Sequence, residues 1–142
     1  MIDHIGLDVS DVVRSRSFYA EALAPLGYRI VQQVPPEPGE RPTVVMFGVG
    51  DEPDFVIAKD KSPGPGNHVA FRAQTRAQVG AFHAAALAAG GRDNGRPGVR
   101  ERYGPTYYAA FVLDPDGFNI EAVCHVRPDQ PVPRERKNLT LT

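Results

Sequence analysis

The sequence predicts an α+β domain made of two copies of a βαβββ unit, and three observations predict it. Sliding the chain against itself by 64 residues places His4-Ile5-Gly6-Leu7 on His68-Val69-Ala70-Phe71. In the same register Phe18 meets Phe82, Leu23 meets Leu87, Gly27 meets Gly91 and Phe47 meets Phe111, with no gap. Each half then repeats one order of signals: a short strand run, a capped helical run, a glycine stop and further strand runs.

The elements follow in order. Strand runs at residues 2–9 and 67–73 open the two halves. Helices are predicted over 11–26 and 75–89, where Asp11 and Thr75 are suitable N-caps and Thr75-Arg-Ala-Gln78 fits a capping box. Val79, Phe82, Ala86 and Ala89 give the second helix an apolar face. Gly27 and Gly90-Gly91 fall where helices stop. Further strands are expected at 28–34, 43–49, 54–58, 107–113 and 119–123. Asp114-Pro-Asp-Gly117 reads as the turn between the last two. The Pro-rich segment 35–42 and the segment 92–106 read as loops. The single domain is expected over 1–125, with modules at 1–62 and 65–125. The tail 126–142 lies outside the repeat and is expected to be disordered or loosely packed.

Composition excludes several classes. With 142 residues the chain is long enough for one core, and 42% hydrophobic and 23% charged residues are ordinary globular values. A net charge of −1 gives no general attraction to nucleic acid or to an anionic membrane. The lone Cys124 cannot form an internal disulfide. No apolar run reaches the roughly 20 residues of a membrane helix. The chain is expected to be cytoplasmic and to act on a small molecule.

Three side chains carry the candidate chemistry. His4 and His68 are repeat equivalents near the start of their strands, and Glu121 lies in the last strand. If the units pack about a pseudo-two-fold axis, both imidazoles and the carboxylate reach one concave surface. Two imidazoles and a carboxylate suit Zn, Ni, Fe or Mn, with positions left open for water or substrate. Tyr107 or Tyr108 could add a phenol, although strand alternation puts only one of them on the concave face. Glu121, Tyr107 and Tyr108 are therefore the catalytic candidates. Arg72, Phe47, Phe111 and Ile57 are expected to line the substrate, although a pairing of Arg72 with Asp8 is the stronger reading of that arginine. Arg92, Arg96, Arg100 and Arg102 read first as solvated loop residues and second as an anion-attracting rim. His83 reads as surface or packing, and alternation turns Cys124 away from Glu121.

Several stretches resemble the vicinal oxygen chelate superfamily, which includes glyoxalases, bleomycin-resistance proteins and extradiol dioxygenases. They are Met1-Ile-Asp-His4-Ile-Gly-Leu7, Ser15-Arg-Ser-Phe-Tyr19, Gly66-Asn-His68-Val-Ala-Phe71, and Tyr107 through Asp114-Pro-Asp-Gly117 to Glu121. The resemblance covers roughly residues 1 to 125. It implies a U-shaped mixed sheet, a divalent metal on His4, His68 and Glu121, and a homodimer. Glyoxalase I adds a fourth ligand in the first module, and the 64-residue offset puts Ile57 there. An isoleucine can neither bind metal nor move a proton, which argues against that isomerisation. The reactions left are those of a metal-dependent lyase, transferase or dioxygenase acting on vicinal oxygens. The alternative is a metal-free drug-binding protein of the bleomycin-resistance type.

Overall fold

The alternating run Ile5-Gly-Leu-Asp-Val9 forms strand β1, with Leu7 and Val9 buried and Gly6 and Asp8 exposed. It opens a computed structural model that describes residues 4–59 and 67–128. The order continues with α1 (Val12–Ala22), β2 (Arg29–Val34), β3 (Val44–Gly48) and β4 (Phe55–Lys59). The second module repeats it: β5 (His68–Arg72), α2 (Arg76–Ala88), β6 (Arg92–Val99), β7 (Tyr108–Leu113) and β8 (Asn119–Cys124). The duplicated βαβββ α+β fold is as expected. The tail from 129 onward lies outside the described residues.

Both helix starts match their caps. The Asp11 carboxylate accepts from the Arg14 backbone N–H at 3.0 Å. Thr75 and Gln78 satisfy each other's backbone N–H groups, completing the capping box. The first helix is shorter than expected. It stops at Ala22, and a 3-10 turn over Ala24–Leu26 carries Pro25 into Gly27 at φ 87°. Pro25 has no N–H to continue an α-helix, and Gly27 takes the left-handed conformation without a side-chain clash.

Each module forms its own four-stranded mixed sheet, in the orders β1-β4-β3-β2 and β5-β8-β7-β6. The outer pairs β1–β4 and β5–β8 are parallel, and the remaining pairs are antiparallel. Within one chain the U-shaped sheet is thus two separate halves. The segment expected as a loop over 92–106 instead begins with edge strand β6. Gly95, Pro97 and Gly98 hid it, and its register shifts twice. An edge position tolerates a proline whose missing N–H faces away from the ladder.

The strand registers revise the repeat. Gly6 pairs with Val56, whereas Ala70, its equivalent, pairs with Glu121. Val45, Phe47, Phe55 and Ile57 correspond to Ala110, Val112, Ile120 and Ala122, an offset of 65 rather than 64. All eight are almost wholly buried, at 0–1% exposure. The second module therefore carries one extra residue before β7. In a strand, a slip of one residue moves each side chain to the opposite face. Phe47 and Ile57, expected to line the substrate, instead sit in the core.

That core is shared by both modules. Phe55 meets Tyr19 at 4.9 Å and Phe71 of the second module at 5.1 Å, both edge to face. Fully burying an aromatic of this size contributes about 1.5–3 kcal/mol. Helices α1 and α2 pack against each other and against the inner faces of the sheets. Gly91 lets α2 approach closely, because a Cβ there would lie 2.5 Å from Val112 Cγ1 and 2.8 Å from the Ala86 carbonyl. Polar ties join the modules as well. The buried Tyr19 hydroxyl donates to Asp114 at 2.6 Å, and Ser10 bonds Asp116 through its backbone N–H and its hydroxyl. Among the described residues no helix is long and apolar enough to cross a membrane.

Candidate functional site

The candidate face of the second sheet is the one turned away from the helices. Val69 and Phe71 of β5 point into the core, so His68, Ala70 and Arg72 point outward. On the adjacent β8, Asn119 and Glu121 share this face through the pairings His68–Asn119 and Ala70–Glu121. Phe111 of β7 lies beside Glu121. A cavity of about 440 Å³ opens here, lined by His68, Glu121, Tyr107 and Phe111. Asn94, Asn119, Arg100, Arg102 and Tyr103 complete its polar wall.

The geometry at the centre is specific. Glu121 is buried at 2% exposure, yet its carboxylate is engaged at both oxygens. Oε1 accepts a hydrogen bond from the Tyr107 hydroxyl at 2.6 Å, and Oε2 lies 3.2 Å from His68 Nε2. Burial, then the Glu121 hydrogen bond, pushes the Tyr107 phenol up to about 12. It is a hydrogen-bond donor at neutral pH and not a base. His68 Nδ1 lies 2.9 Å from the Asn119 carbonyl, which can only accept, so Nδ1 carries a proton. In the neutral imidazole the Nε2 lone pair then faces a carboxylate oxygen.

Two lone pairs at 3.2 Å call for a cation between them, a proton or a metal ion. Two ligand bonds of about 2.1 Å meeting at about 100° separate their donors by that much. The Nδ1-to-carbonyl bond is also the usual support for a metal-ligating histidine, since it fixes tautomer and ring orientation. The donor set thus fits a divalent ion, supplying two of its ligands.

The third expected ligand stands elsewhere. His4 precedes β1, exposed, two residues before the outward-facing Gly6, on the other sheet. Among the described residues no three His, Cys, Asp or Glu side chains of one chain gather closely enough to hold a metal. His4, His68 and Glu121 therefore do not converge within a single chain.

Of the remaining candidates, Tyr107 and Phe111 lie in the cavity. Tyr108 points to the other face, packs against the core and carries the Arg76 guanidinium 4.7 Å above its ring. It is not part of this site. Arg72 shares the outward face but lies outside the cavity, and among the described residues no ion pair joins it to Asp8. His83 is buried and ties α2 to β6 through Asp93 at 2.9 Å. That contact, chiefly through its hydrogen bond, holds the Asp93 carboxyl below its usual range. His125 meets the Tyr107 ring edge-on at 5.2 Å. Cys124 is buried in the core, away from Glu121.

Sequence reasoning passed over Asn119, Asn94 and Tyr103. Asn119 was within reach of it, because alternation from Glu121 places it on the same face. Asn94 and Tyr103 belong to the segment that gave no strand signal.

The comparisons with known proteins agree with this framework. The sequence model described as the Glyoxalase/Bleomycin resistance protein/Dioxygenase superfamily matches residues 1–122. A glyoxalase/bleomycin resistance protein from Albidiferax ferrireducens T118 superposes with a TM-score of 0.68 at 31% identity, covering 89% of this chain and 98% of its own. TioX from Micromonospora sp. ML1 gives 0.68 at 14% identity over 89% of this chain and 99% of its own, which shows the fold alone. A glyoxalase/bleomycin resistance protein/dioxygenase family enzyme from Burkholderia phytofirmans PsJN gives 0.64 at 16%, over 88% and 98%. No curated protein matches the chain significantly. The duplicated fold, the family match over most of the sequence and the relative at 31% identity together establish that the chain belongs to the glyoxalase/bleomycin resistance protein/dioxygenase superfamily.

Proposed function

We propose that this cavity is half of a divalent metal site, completed in a homodimer and used to bind neighbouring oxygens of a small substrate. The observation that carries the reading is the pairing of His68 Nε2 with Glu121 Oε2 at 3.2 Å, with His68 Nδ1 committed to a backbone carbonyl. His68 and Glu121 hold the ion from one copy, and His4 of the partner subunit supplies the third ligand. The separation of the two sheets and the outward position of both half-sites support this division. In a two-fold dimer the first sheet of each copy faces the second sheet of the other, so the contact is made twice.

A bound divalent ion supplies a Lewis-acidic centre for two vicinal substrate oxygens. The protein supplies the rest. Asn119 and Tyr107 orient the two ligands, and the neutral Tyr107 phenol stabilises the Glu121 carboxylate without competing for substrate protons. Val56, the register equivalent of Glu121, offers no second carboxylate in the first module. Glyoxalase I isomerisation therefore lacks its base. Lyase, transferase or dioxygenase chemistry remains.

Elemental analysis of protein purified without chelator tests the reading, with one metal per chain expected. Glu121→Ala is expected to lose it. Full occupancy in that variant, or none in wild type after incubation with Zn, Ni, Fe(II) or Mn, rejects the metal site. A metal-free binding protein is the second reading, favoured by the Glu121 carboxylate finding partners in Tyr107 and His68 without an ion. Ligand-induced thermal stabilisation that a chelator leaves unchanged would select it.

A further inference from the structure

The cavity carries a charge pattern that the metal ligands do not explain. Arg100 and Arg102 both line it. Among the described residues no carboxylate pairs with either guanidinium. The cavity's acid, Glu121, is buried and already engaged by Tyr107 and His68. Two uncompensated cations thus face the opening of a molecule whose net charge is only −1. Locally focused charge of this kind attracts and orients anions.

Arg100 is also held in place. Its Nη1 donates to the Gly98 carbonyl at 3.1 Å and its Nη2 to the Arg96 carbonyl at 2.7 Å. Three of its five N–H groups stay available. Its guanidinium lies 5.3 Å from the Phe111 centroid. The glycines of β6 make the room. A Cβ at Gly98 would stand 3.1 Å from Nη1, and one at Gly95 would stand 3.1 Å from Nη2 and 3.0 Å from the Phe111 ring. Arg102 is anchored by Tyr103, which accepts from its Nη2 at 2.7 Å and lies under its guanidinium. His68 and Phe111 set two nearly parallel rings, 6.4 Å between centroids, in the cavity wall. The corresponding loop of the first module, residues 35–43, holds a single arginine, Arg41. The arginine pair belongs to the second module alone.

We infer that the cavity takes a small planar molecule bearing an oxyanion, a carboxylate or a phosphonate, with the anion on Arg100 and Arg102 and the flat body on Phe111. The inference rests on the same cavity as the metal reading and assigns its substrate class. Guanidinium forks match the geometry of both anions, and charge-assisted hydrogen bonds are the strong ones.

Calorimetric titration at fixed ionic strength with benzoate and phenylphosphonate, against benzamide and benzyl alcohol, tests it. Each titration is run on metal-loaded and on chelator-treated protein. The anions are expected to bind about tenfold or more tightly than their neutral counterparts. Arg102→Gln is expected to remove most of that preference. Gly98→Ala keeps every charge but displaces the Arg100 guanidinium, and is expected to weaken the anions severalfold while sparing the neutral probes. Equal affinity for benzoate and benzamide, an undiminished preference in Arg102→Gln, or no binding of either anion overturns the inference. An arginine-dependent preference that survives chelation upholds it even where the metal reading fails. Metal binding without that preference rejects the inference alone.

Discussion

Glu121 and Val56 hold the same place in their two sheets: Glu121 pairs with Ala70 on β5 and Phe111 on β7, Val56 with Gly6 on β1 and Met46 on β3. One is a buried carboxylate at the candidate metal centre, and the other is a half-buried apolar side chain on the open face of the first sheet. Val56→Glu is therefore expected to fold and to add an oxygen ligand, tightening Zn or Ni binding by about tenfold or more. Ile57→Glu, one residue along, puts a charge into the core and is expected to cost more than about 3 kcal/mol. Urea unfolding of both variants, with metal titration of the first, checks the register. Equal stability of the two would contradict it.

That pair also marks where the sequence could be read and where it could not. The duplicated architecture was legible because strand openings, helix caps and glycine stops are local signals that recur at one spacing. Among the polar candidate site residues only His68 carries such a recurring signal, as the equivalent of His4; Glu121 and Tyr107 have no repeat partner of their own kind, and the structure brings all three with Phe111 to one cavity. Phe47 and Ile57 were misplaced because one inserted residue before β7 is silent in composition yet reverses a strand's faces. Strand β6 was missed because its glycines and proline signal a loop. Those same glycines make space for Arg100, so the residues that hid the strand also shape the cavity. The placing of the candidate ligands on two sheets depends on how the modules pack, which no local pattern records.

Tyr107 offers a test of the Glu121 environment. Tyr107→Phe removes the donor to Oε1 and is expected to weaken metal binding by about 10- to 100-fold, as loss of such supporting contacts commonly does. A pH signature accompanies it. The phenol is raised from 10.0 to about 12, so its contribution to stability is complete below pH 10 and is lost as pH climbs toward 12. Wild type is expected to lose more stability than Tyr107→Phe between pH 9 and pH 11.5. Parallel pH dependences in urea unfolding would show that the hydrogen bond contributes nothing.

Tyr19 and Asp114 form a buried tie between the modules. The Asp114 Oδ1 accepts from the backbone N–H groups of Asp116 and Phe118 at 2.8 Å, leaving Oδ2 to the Tyr19 hydroxyl. Burial raises the Asp114 carboxyl above its usual range, although these three donors pull it down. Tyr19→Phe strands Oδ2 without a donor and is expected to cost about 1–3 kcal/mol. The cost is expected to shrink as pH falls and Asp114 takes up a proton, because a neutral carboxyl is less expensive to leave unpaired. Unfolding of the variant at pH 7 and pH 4 measures both effects.

The proposed division of ligands between subunits makes a prediction that a single-chain site cannot imitate. His4→Ala and Glu121→Ala each remove one ligand, and each is expected to bind no metal as a homodimer. After mixing and subunit exchange, half of the dimers are mixed. In each of these, one site combines both damaged positions and the other combines His4 of one chain with the intact His68 and Glu121 of its partner. About a quarter of all sites are then expected to bind metal again. If the three ligands met within one chain, each chain would keep its own defect and mixing would restore nothing. Metal content after exchange, measured against the two unmixed variants, separates these outcomes. A tag on one variant that captures the untagged chain of the other establishes that exchange took place. Recovery near a quarter requires His4 to act across the subunit boundary.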